Sequence, residues 1–159
     1  MERVYLDTNA FYFFFFREKN YTEGIKKIFE KMQNGKVIGV TSCLTLDELA
    51  YVVLMRLIEK KYKKHPSEVI RGNRAIISDF IGDMEEMFGV IFSFDNLQIV
   101  EANKEIVGVI PIVMEETLLL PRDCVHLRTM LDHGCKKILS TDNDFDRIKE
   151  IERMKPESL

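Results

Sequence analysis

The sequence contains no tryptophan and few residues that break regular structure, with four prolines and eight glycines among 159 residues. It also lacks any low-complexity tract, which excludes a repetitive or broadly disordered chain. Hydrophobic residues make up 46% of the chain and charged residues 31%, a balance typical of globular domains. We therefore expect one domain over residues 1–159, with a flexible tail only after Met154.

Cysteine is also scarce, and its spacing excludes two kinds of site. Cys43, Cys124 and Cys135 include no CxxC pair, so neither a structural zinc site nor a disulfide framework is expected. This usage is typical of a reducing compartment, and we expect a cytoplasmic protein. Cys124 lies in an apolar helical pattern and is expected in the core. Nearby, His126 is expected to be hydrogen-bonded and partly buried rather than catalytic.

Long hydrophobic runs are missing as well. The most conspicuous run, the aromatic stretch at residues 11–16, is far too short to span a bilayer. It follows Asp7 rather than a basic leader, so no targeting segment is expected here. We interpret the stretch as a partly buried helix or as a contact surface for another chain.

An overall excess of positive charge, usual in nucleic-acid-binding domains, is absent because the net charge is −3. Basic residues are nevertheless concentrated between positions 56 and 74. The candidates for RNA contact in this segment are Lys60, Lys61, Lys63, Lys64, Arg71 and Arg74. A solvated surface explains the segment as well as a phosphate-binding rim, which would make RNA binding sensitive to salt.

Short apolar strands alternate with amphipathic helices along the chain. Strands are predicted at residues 3–6, 37–40 and 137–139, with a further strand or extended segment at 90–94. Apolar spacing predicts helices at about 22–34, 46–58, 66–88, 95–107, 111–120, 121–133 and 145–152. This alternation is typical of an α/β fold with a central, mostly parallel sheet flanked by helices.

Acidic residues stand where such sheets bind ligands, beyond the carboxyl ends of the strands. Asp7 follows the first predicted strand, Asp142 and Asp144 follow the last one, and Glu48 and Asp123 each open a helix. Carboxylates held together repel one another, and a hard divalent cation such as Mg²⁺ or Mn²⁺ offsets that cost. Such a site suits phosphodiester hydrolysis by water, because the sequence pairs no protein nucleophile with a base.

Each of these acids except Asp7, which has no obvious structural partner, also has a purely structural interpretation. Thr45 and Glu48 form the pattern of a capping box at a helix start. Asp123 could simply stabilise the first turn of a helix through the helix dipole. Asp142 or Asp144 could cap the last predicted helix, with Asp144 the better candidate.

Four segments that carry these acids resemble the PIN-domain family when they are taken together. They are residues 4–9, 41–49, 123–127 and 138–145, in the family's order and at its approximate spacing. The resemblance implies a PIN-like three-layer sandwich and Mg²⁺- or Mn²⁺-dependent endoribonuclease activity. A chain of this length resembles VapC-type toxins most, which implies an RNA substrate and a small antitoxin. The aromatic stretch at residues 11–16 is a candidate surface for docking that partner or for a homodimer.

The resemblance also implies roles for individual residues. Metal-binding and catalytic acids are implied at Asp7, Glu48, Asp123 and Asp142. Among them, Glu48 would polarise the attacking water or hold a second ion. Residues that orient the carboxylates or support them from outside are implied at Asn9, Ser140 and Asp144. The central segment 60–96 is longer than expected of a minimal family member and matches no motif.

Several other functions compete with this interpretation. A haloacid-dehalogenase phosphatase needs a second Asp two residues after the first, where this chain has Asn9. A phospho-acceptor receiver domain needs an acidic pair near the N-terminus, and none is clear. A housekeeping PIN nuclease and a catalytically silent PIN-like binding module stay open. Titration with Mn²⁺ separates the silent module, which should show little metal-linked stabilisation.

Overall fold

A five-stranded parallel sheet forms the centre of the computed structural model, which describes residues 1–159. The strands are β1 (Glu2–Leu6), β2 (Val37–Ser42), β3 (Leu97–Val100), β4 (Lys137–Leu139) and β5 (Glu152–Met154). Their spatial order is β3-β2-β1-β4-β5, and every neighbouring pair is parallel. The chain builds outward from β1 in both directions, so the strand order reverses beside β1. Ligands bind at such a reversal, beyond the carboxyl ends of the strands.

Helices cover both faces of the sheet. They are α1 (Thr8–Phe16), α2 (Thr22–Gln33), α3 (Cys43–Tyr62), α4 (Pro66–Gly72), α5 (Ile81–Phe92), α6 (Lys104–Gly108), α7 (Ile110–Thr117) and α8 (Pro121–Asp132). Three short 3₁₀ segments lie at Arg74–Phe80, Asn143–Arg147 and Pro156–Ser158. The predicted α/β class with a helix-flanked parallel sheet is confirmed. No helix combines the length and the apolar character needed to cross a membrane.

The alternation of side chains along β1 divides the core into two halves. Val4 and Leu6 point to the face covered by α1, α2, α3 and α5, whereas Tyr5 points to the face covered by α8. All three side chains are fully buried, and burial of each apolar one contributes about 1.5–3 kcal/mol. The aromatic stretch forms α1, where Phe11 is fully buried and Tyr12 to Phe16 are half-buried. It is therefore the partly buried helix expected from the sequence.

The central segment, 60–96, extends α3 into a small helical layer of its own. Ile58 of α3 packs with Ile76 and Phe80 of the following 3₁₀ segment, away from the two main halves of the core. The positively charged C-terminal end of α3 therefore packs against this small helical layer.

Two predictions between residues 90 and 107 were wrong. Residues 90–92 complete α5 rather than a strand, because Met87 and Ile91 are buried at the four-residue spacing of a helix. The third strand along the chain lies instead at Leu97–Val100, inside the predicted helix 95–107. This edge strand is half-exposed on both faces, so it lacks the alternation by which a strand is identified.

The C-terminal end also differs from its prediction. Instead of a helix over 145–152, the chain forms the 3₁₀ segment Asn143–Arg147 and then β5, which pairs with β4. The tail, expected to be flexible, forms the 3₁₀ segment Pro156–Ser158 against α2, with Pro156 buried. The main-chain carbonyl of Pro156 comes so close to Gly24 that a Cβ atom at position 24 would overlap it. Glycine at position 24 is what permits this packing.

Candidate metal-binding active site

The predicted acids converge at the carboxyl edge of the sheet, beside the reversal at β1. Two groups of three side chains lie there, and within each group the possible ligand atoms all lie within 4.8 Å of one another. They are Asp7, Glu48 and His126 in the first group, and Asp123, Asp142 and Asp144 in the second. The charge of Asp7 acts on both His126 and Asp123. The two groups therefore form one electrostatic unit.

Asp7 is buried where β1 passes into α1, and its carboxylate is held at both oxygens. The Thr8 N–H donates to Oδ1 at 2.7 Å, while Asn9 Nδ2 and Ser140 Oγ donate to Oδ2 at 2.8 and 2.6 Å. Burial raises the pKa of Asp7 despite these donors. Asn9 also accepts from the Thr141 N–H at 3.1 Å, which ties the end of β1 to the end of β4.

Glu48 lies in the first turns of α3 and faces Asp7 rather than its own helix start. Its Oε2 accepts from Thr8 Oγ1 at 2.6 Å and lies 3.1 Å from His126 Nε2. The capping-box interpretation is wrong, because Ser42 caps α3 by accepting from the Thr45 N–H at 3.1 Å. Burial favours the neutral acid, but hydrogen bonds from His126 and Thr8 outweigh it and lower the pKa of Glu48.

His126 connects Glu48 to the core, a link that the sequence did not reveal. The ring is buried, and its Nδ1 lies 3.0 Å from the hydroxyl of Tyr5, which also contacts Ser42 and Thr45. Burial opposes a charge on His126, but the hydrogen bond to Glu48 and the charge of Asp7 outweigh it and raise the pKa. His126 is hydrogen-bonded as expected, yet fully buried and at the site itself. Its spacing of three residues from Asp123 on α8 was the available signal.

The second group of acids follows α8 and β4. Asp142, and not Asp144, caps the 3₁₀ segment by accepting from the Asp144 N–H at 2.8 Å. Asp144 forms an ion pair with Arg147 at 2.8 Å. Asp123 has neither a hydrogen bond nor an ion pair, and burial together with the charge of Asp142 raises its pKa. Arg153 of β5 anchors this loop by donating to Asp146 and to the carbonyl of Ser140.

The donors present fit a hard divalent cation. Asp7 and Asp123 both have raised pKa values, a cost that a cation would relieve. Glu48 Oε1 is buried without a hydrogen-bond partner, although it lies 2.8 Å from Arg122 Nε in an ion pair. Both ring nitrogens of His126 are already used by Tyr5 and Glu48. Carboxylate oxygens are therefore the available ligands.

The predicted RNA-contacting residues do not lie among the acids. Lys60, Lys63 and Lys64 line a cavity at the far end of α3, and Arg71 and Arg74 line a neighbouring one. Lys61 points elsewhere and pairs with Asp79 at 2.9 Å.

Comparison with known proteins agrees with this geometry. The family model of the PIN domain matches residues 4–151, and the chain belongs to the PIN domain family. It is similar to Ribonuclease VapC2 of Methanocaldococcus jannaschii, with 27% identity over 130 residues, covering 80% of this chain and 78% of the relative. The predicted membership of the PIN family and the resemblance to VapC proteins are confirmed. The family and this relative support the predicted ribonuclease.

Solved structures share the fold over nearly the whole chain. VapBC2 from Rickettsia felis, bound to a DNA fragment from their promoter, has a TM-score of 0.61 at 15% identity, covering 96% of this chain and 97% of that one. VapC20 of Mycobacterium tuberculosis, described as a Sarcin-Ricin loop cleaving toxin, has a TM-score of 0.59 at 11% identity, covering 92% and 95%. At these identities, the likeness establishes the three-layer fold.

Proposed function

We propose that this protein is an endoribonuclease of the VapC type that hydrolyses RNA with the help of Mg²⁺ or Mn²⁺. The observation that carries the proposal is the convergence of carboxylates from β1, α3, α8 and the loop after β4 on one partly buried edge. Similarity to a ribonuclease named VapC2 supports RNA as the substrate. A housekeeping PIN nuclease would share the same chemistry, whereas a silent binding module has no need of so many repelling acids.

The residues at this edge divide the work of the reaction. Asp7, Glu48, Asp123 and Asp142 would hold the cation. When bound, the cation would lower the pKa of water and offset negative charge on the phosphodiester. Asn9 and Ser140 orient Asp7, while Thr8 and His126 orient Glu48. The lowered pKa of Glu48 keeps its carboxylate ionised at neutral pH, so Oε1, which has no hydrogen-bond partner, can accept a hydrogen bond from the attacking water and orient it.

Substitution of one buried acid tests the proposal. We expect Asp7→Asn to lower Mn²⁺-dependent cleavage of a structured RNA at least about 100-fold, because even residues that only orient metal ligands contribute about 10- to 100-fold. Cleavage is measured on gels, and circular dichroism establishes that the variant folds. Asp47→Asn is the matched control, because Asp47 is exposed and directly precedes Glu48. Equal cleavage by wild type and Asp7→Asn, after removal of contaminating nuclease, would overturn the assignment.

A small antitoxin is the partner that we propose. VapBC2 of R. felis and a toxin–antitoxin complex from Klebsiella pneumoniae (18% identity, TM-score 0.52, 96% and 97% covered) are assemblies of this kind. In this chain, Phe14, Phe15 and Phe16 line a mostly apolar cavity of about 470 Å³ together with Leu57 and Met87, and an antitoxin segment with an apolar face would bury it. Native mass spectrometry after co-expression with a VapB-type antitoxin should show the complex. A chain that stays alone would contradict it.

We propose a homodimer as well, in the cytoplasm. Four apolar side chains between α6 and α8 are about half-exposed or more: Val107, Ile112, Leu118 and Leu120. A second copy of the chain would remove this surface from water. Light scattering should then give about twice the chain mass of 18.6 kDa. A mass of one chain across the concentration range would contradict the dimer.

A further inference from the structure

A groove leads from the acidic site along α3 to the basic end of that helix. Thr8 and Asn9, which contact Glu48 and Asp7, also line a cavity of about 570 Å³. The walls of this cavity are formed by Tyr12, Tyr51 and Met55. One end of the cavity is therefore lined by residues that contact the acids.

The walls of the groove present aromatic surface. Tyr51 is 65% exposed although it lies beside the site, and Tyr12 is half-buried across from it. Tyr51 follows Glu48 by three residues and Met55 follows Tyr51 by four, spacings that place all three side chains on one face of α3. Exposed aromatic rings in such a channel are surfaces on which unpaired bases can stack.

The far end of the groove carries a net positive charge. Arg56, Glu59 and His65 line both the first cavity and a second one, whose other walls are Lys60, Lys63 and Lys64. These three lysines take part in no salt bridge, and Glu59 is the only acid in either cavity. The helix rises about 1.5 Å per residue, so Lys60 lies about 18 Å along the axis from Glu48. Phosphates placed along this distance meet cations at one end and the acidic site at the other.

A branch of the groove adds two further cations. Tyr51 and Met55 also line a third cavity with Ile70, Arg71 and Arg74, and neither arginine forms a salt bridge within the chain. Since the whole chain has a net charge of −3, this local excess of positive charge points to a polyanion.

We propose that this groove binds a single-stranded segment of the RNA next to the cleaved bond, with a base stacked on Tyr51 and phosphates on Lys60, Lys63 and Lys64. The inference rests on the proposed ribonuclease function and names the form in which its substrate is held. A duplex has its base faces covered by stacking, so it cannot use Tyr51. An acidic peptide would match the lysines but would leave the aromatic wall without a flat partner.

Fluorescence anisotropy with a labelled single-stranded oligoribonucleotide of mixed sequence tests the proposal in the presence of EDTA, which prevents cleavage. We expect Tyr51→Ala to weaken binding about tenfold and Tyr51→Phe to bind as wild type, because the ring is retained. Replacement of Lys60, Lys63 and Lys64 by Gln should reduce the slope of log Kd against log salt concentration by about 2. The same change at Lys31, Lys36 and Lys149 is the control, because these exposed lysines lie outside the groove and form no salt bridge.

The outcomes separate this proposal from the function on which it rests. If wild type cleaves RNA but both groove variants bind as tightly as wild type, the groove assignment is overturned and the ribonuclease stands. Equal affinity of wild type for a duplex of the same sequence, or for a polyglutamate peptide, also overturns it. If wild type neither binds nor cleaves RNA, both proposals fail. In cleavage assays, Tyr51→Ala should raise KM and keep kcat within about twofold, since it removes binding rather than chemistry.

Discussion

Individual carboxylates at this site carry negative charge that destabilises the folded protein when no metal is bound. Asp123 shows this most clearly, because it has no hydrogen bond or ion pair and lies beside Asp142 and Asp144. Asp7 is buried as well, but three donors compensate its charge in part. Functional sites commonly retain groups of this kind at the expense of stability.

Removal of the charge at position 123 should therefore stabilise the protein while it destroys the site. For metal-free protein at neutral pH, we expect Asp123→Asn to raise the free energy of unfolding by about 1 kcal/mol and Tm by about 2–4 °C. Thermal unfolding in EDTA, followed by circular dichroism, measures both. A fall in Tm would show that the carboxylate is compensated in the folded protein.

The gain in stability of Asp123→Asn should depend on pH, because the pKa of Asp123 is raised in the folded protein. An unfolded aspartate ionises near pH 4, about as in peptides, whereas the folded one holds its proton to higher pH. Wild-type stability therefore falls as the pH rises between the two values. The advantage of Asp123→Asn should be absent below pH 4, grow through this window and stay constant above it. Asp47→Asn, at an exposed position, should show no such growth.

At the scale of elements, the C-terminal tail depends on one glycine of α2. The 3₁₀ segment Pro156–Ser158 packs against α2 at Gly24, and the Lys27 ammonium donates to a main-chain oxygen of Leu159. The sequence did not predict this contact, since a flexible tail was expected after Met154. The tail therefore packs on α2 and, through Leu159, on the core cluster around it.

Alanine at position 24 should detach or strain this tail. We expect Gly24→Ala to lower the free energy of unfolding by about 1–3 kcal/mol, because its Cβ would overlap the Pro156 carbonyl. Urea unfolding measures the loss, and faster trimming by carboxypeptidase reports tail release. Gly82→Ala in α5 is the matched control, since nothing lies within 4 Å of its Cβ. That variant should gain up to about 1 kcal/mol from helix propensity. Equal stability of both variants would contradict the packing.

At the scale of the whole molecule, the acidic edge and the basic end of α3 give one chain of net charge −3 two regions of opposite character. Cation binding at the first region should couple to folding, because the site exists only when four separate segments are assembled. The apolar cluster on the α8 face of the sheet, which includes Tyr5, Cys124 and Phe145, holds several of those segments in place.

Metal-linked stabilisation measures this coupling. We expect the free energy of unfolding to rise with the logarithm of Mn²⁺ concentration, by about 2.7 kcal/mol at a hundred times Kd. Calorimetric Tm values across a titration give the slope, with Ca²⁺ and K⁺ as comparison ions. The rise should vanish in Asp123→Asn. A Tm independent of Mn²⁺ would support the silent binding module instead.

Much of the secondary structure of this protein is determined by residues that are neighbours in the chain. The spacing of Ile25, Ile28, Phe29 and Met32 predicted α2, and Gly134, with its left-handed backbone, was correctly expected to end α8. The sequence also predicted which acids stand at strand ends, because helix periodicity and strand termination are local properties. The structure then brought the predicted Asp7 and Glu48 together.

Only the tertiary structure decided which residues meet. The contact of Glu48 with Thr8 and His126 joins three separate segments, and it replaced the local capping box with Thr45. The edge strands β3 and β5 were not predicted, because their own sequences lack a strand pattern. They form strands by pairing with β2 and β4. Long-range packing selects among alternatives that local sequence leaves close in energy, and the link from Tyr5 through His126 to Glu48 arises at that level.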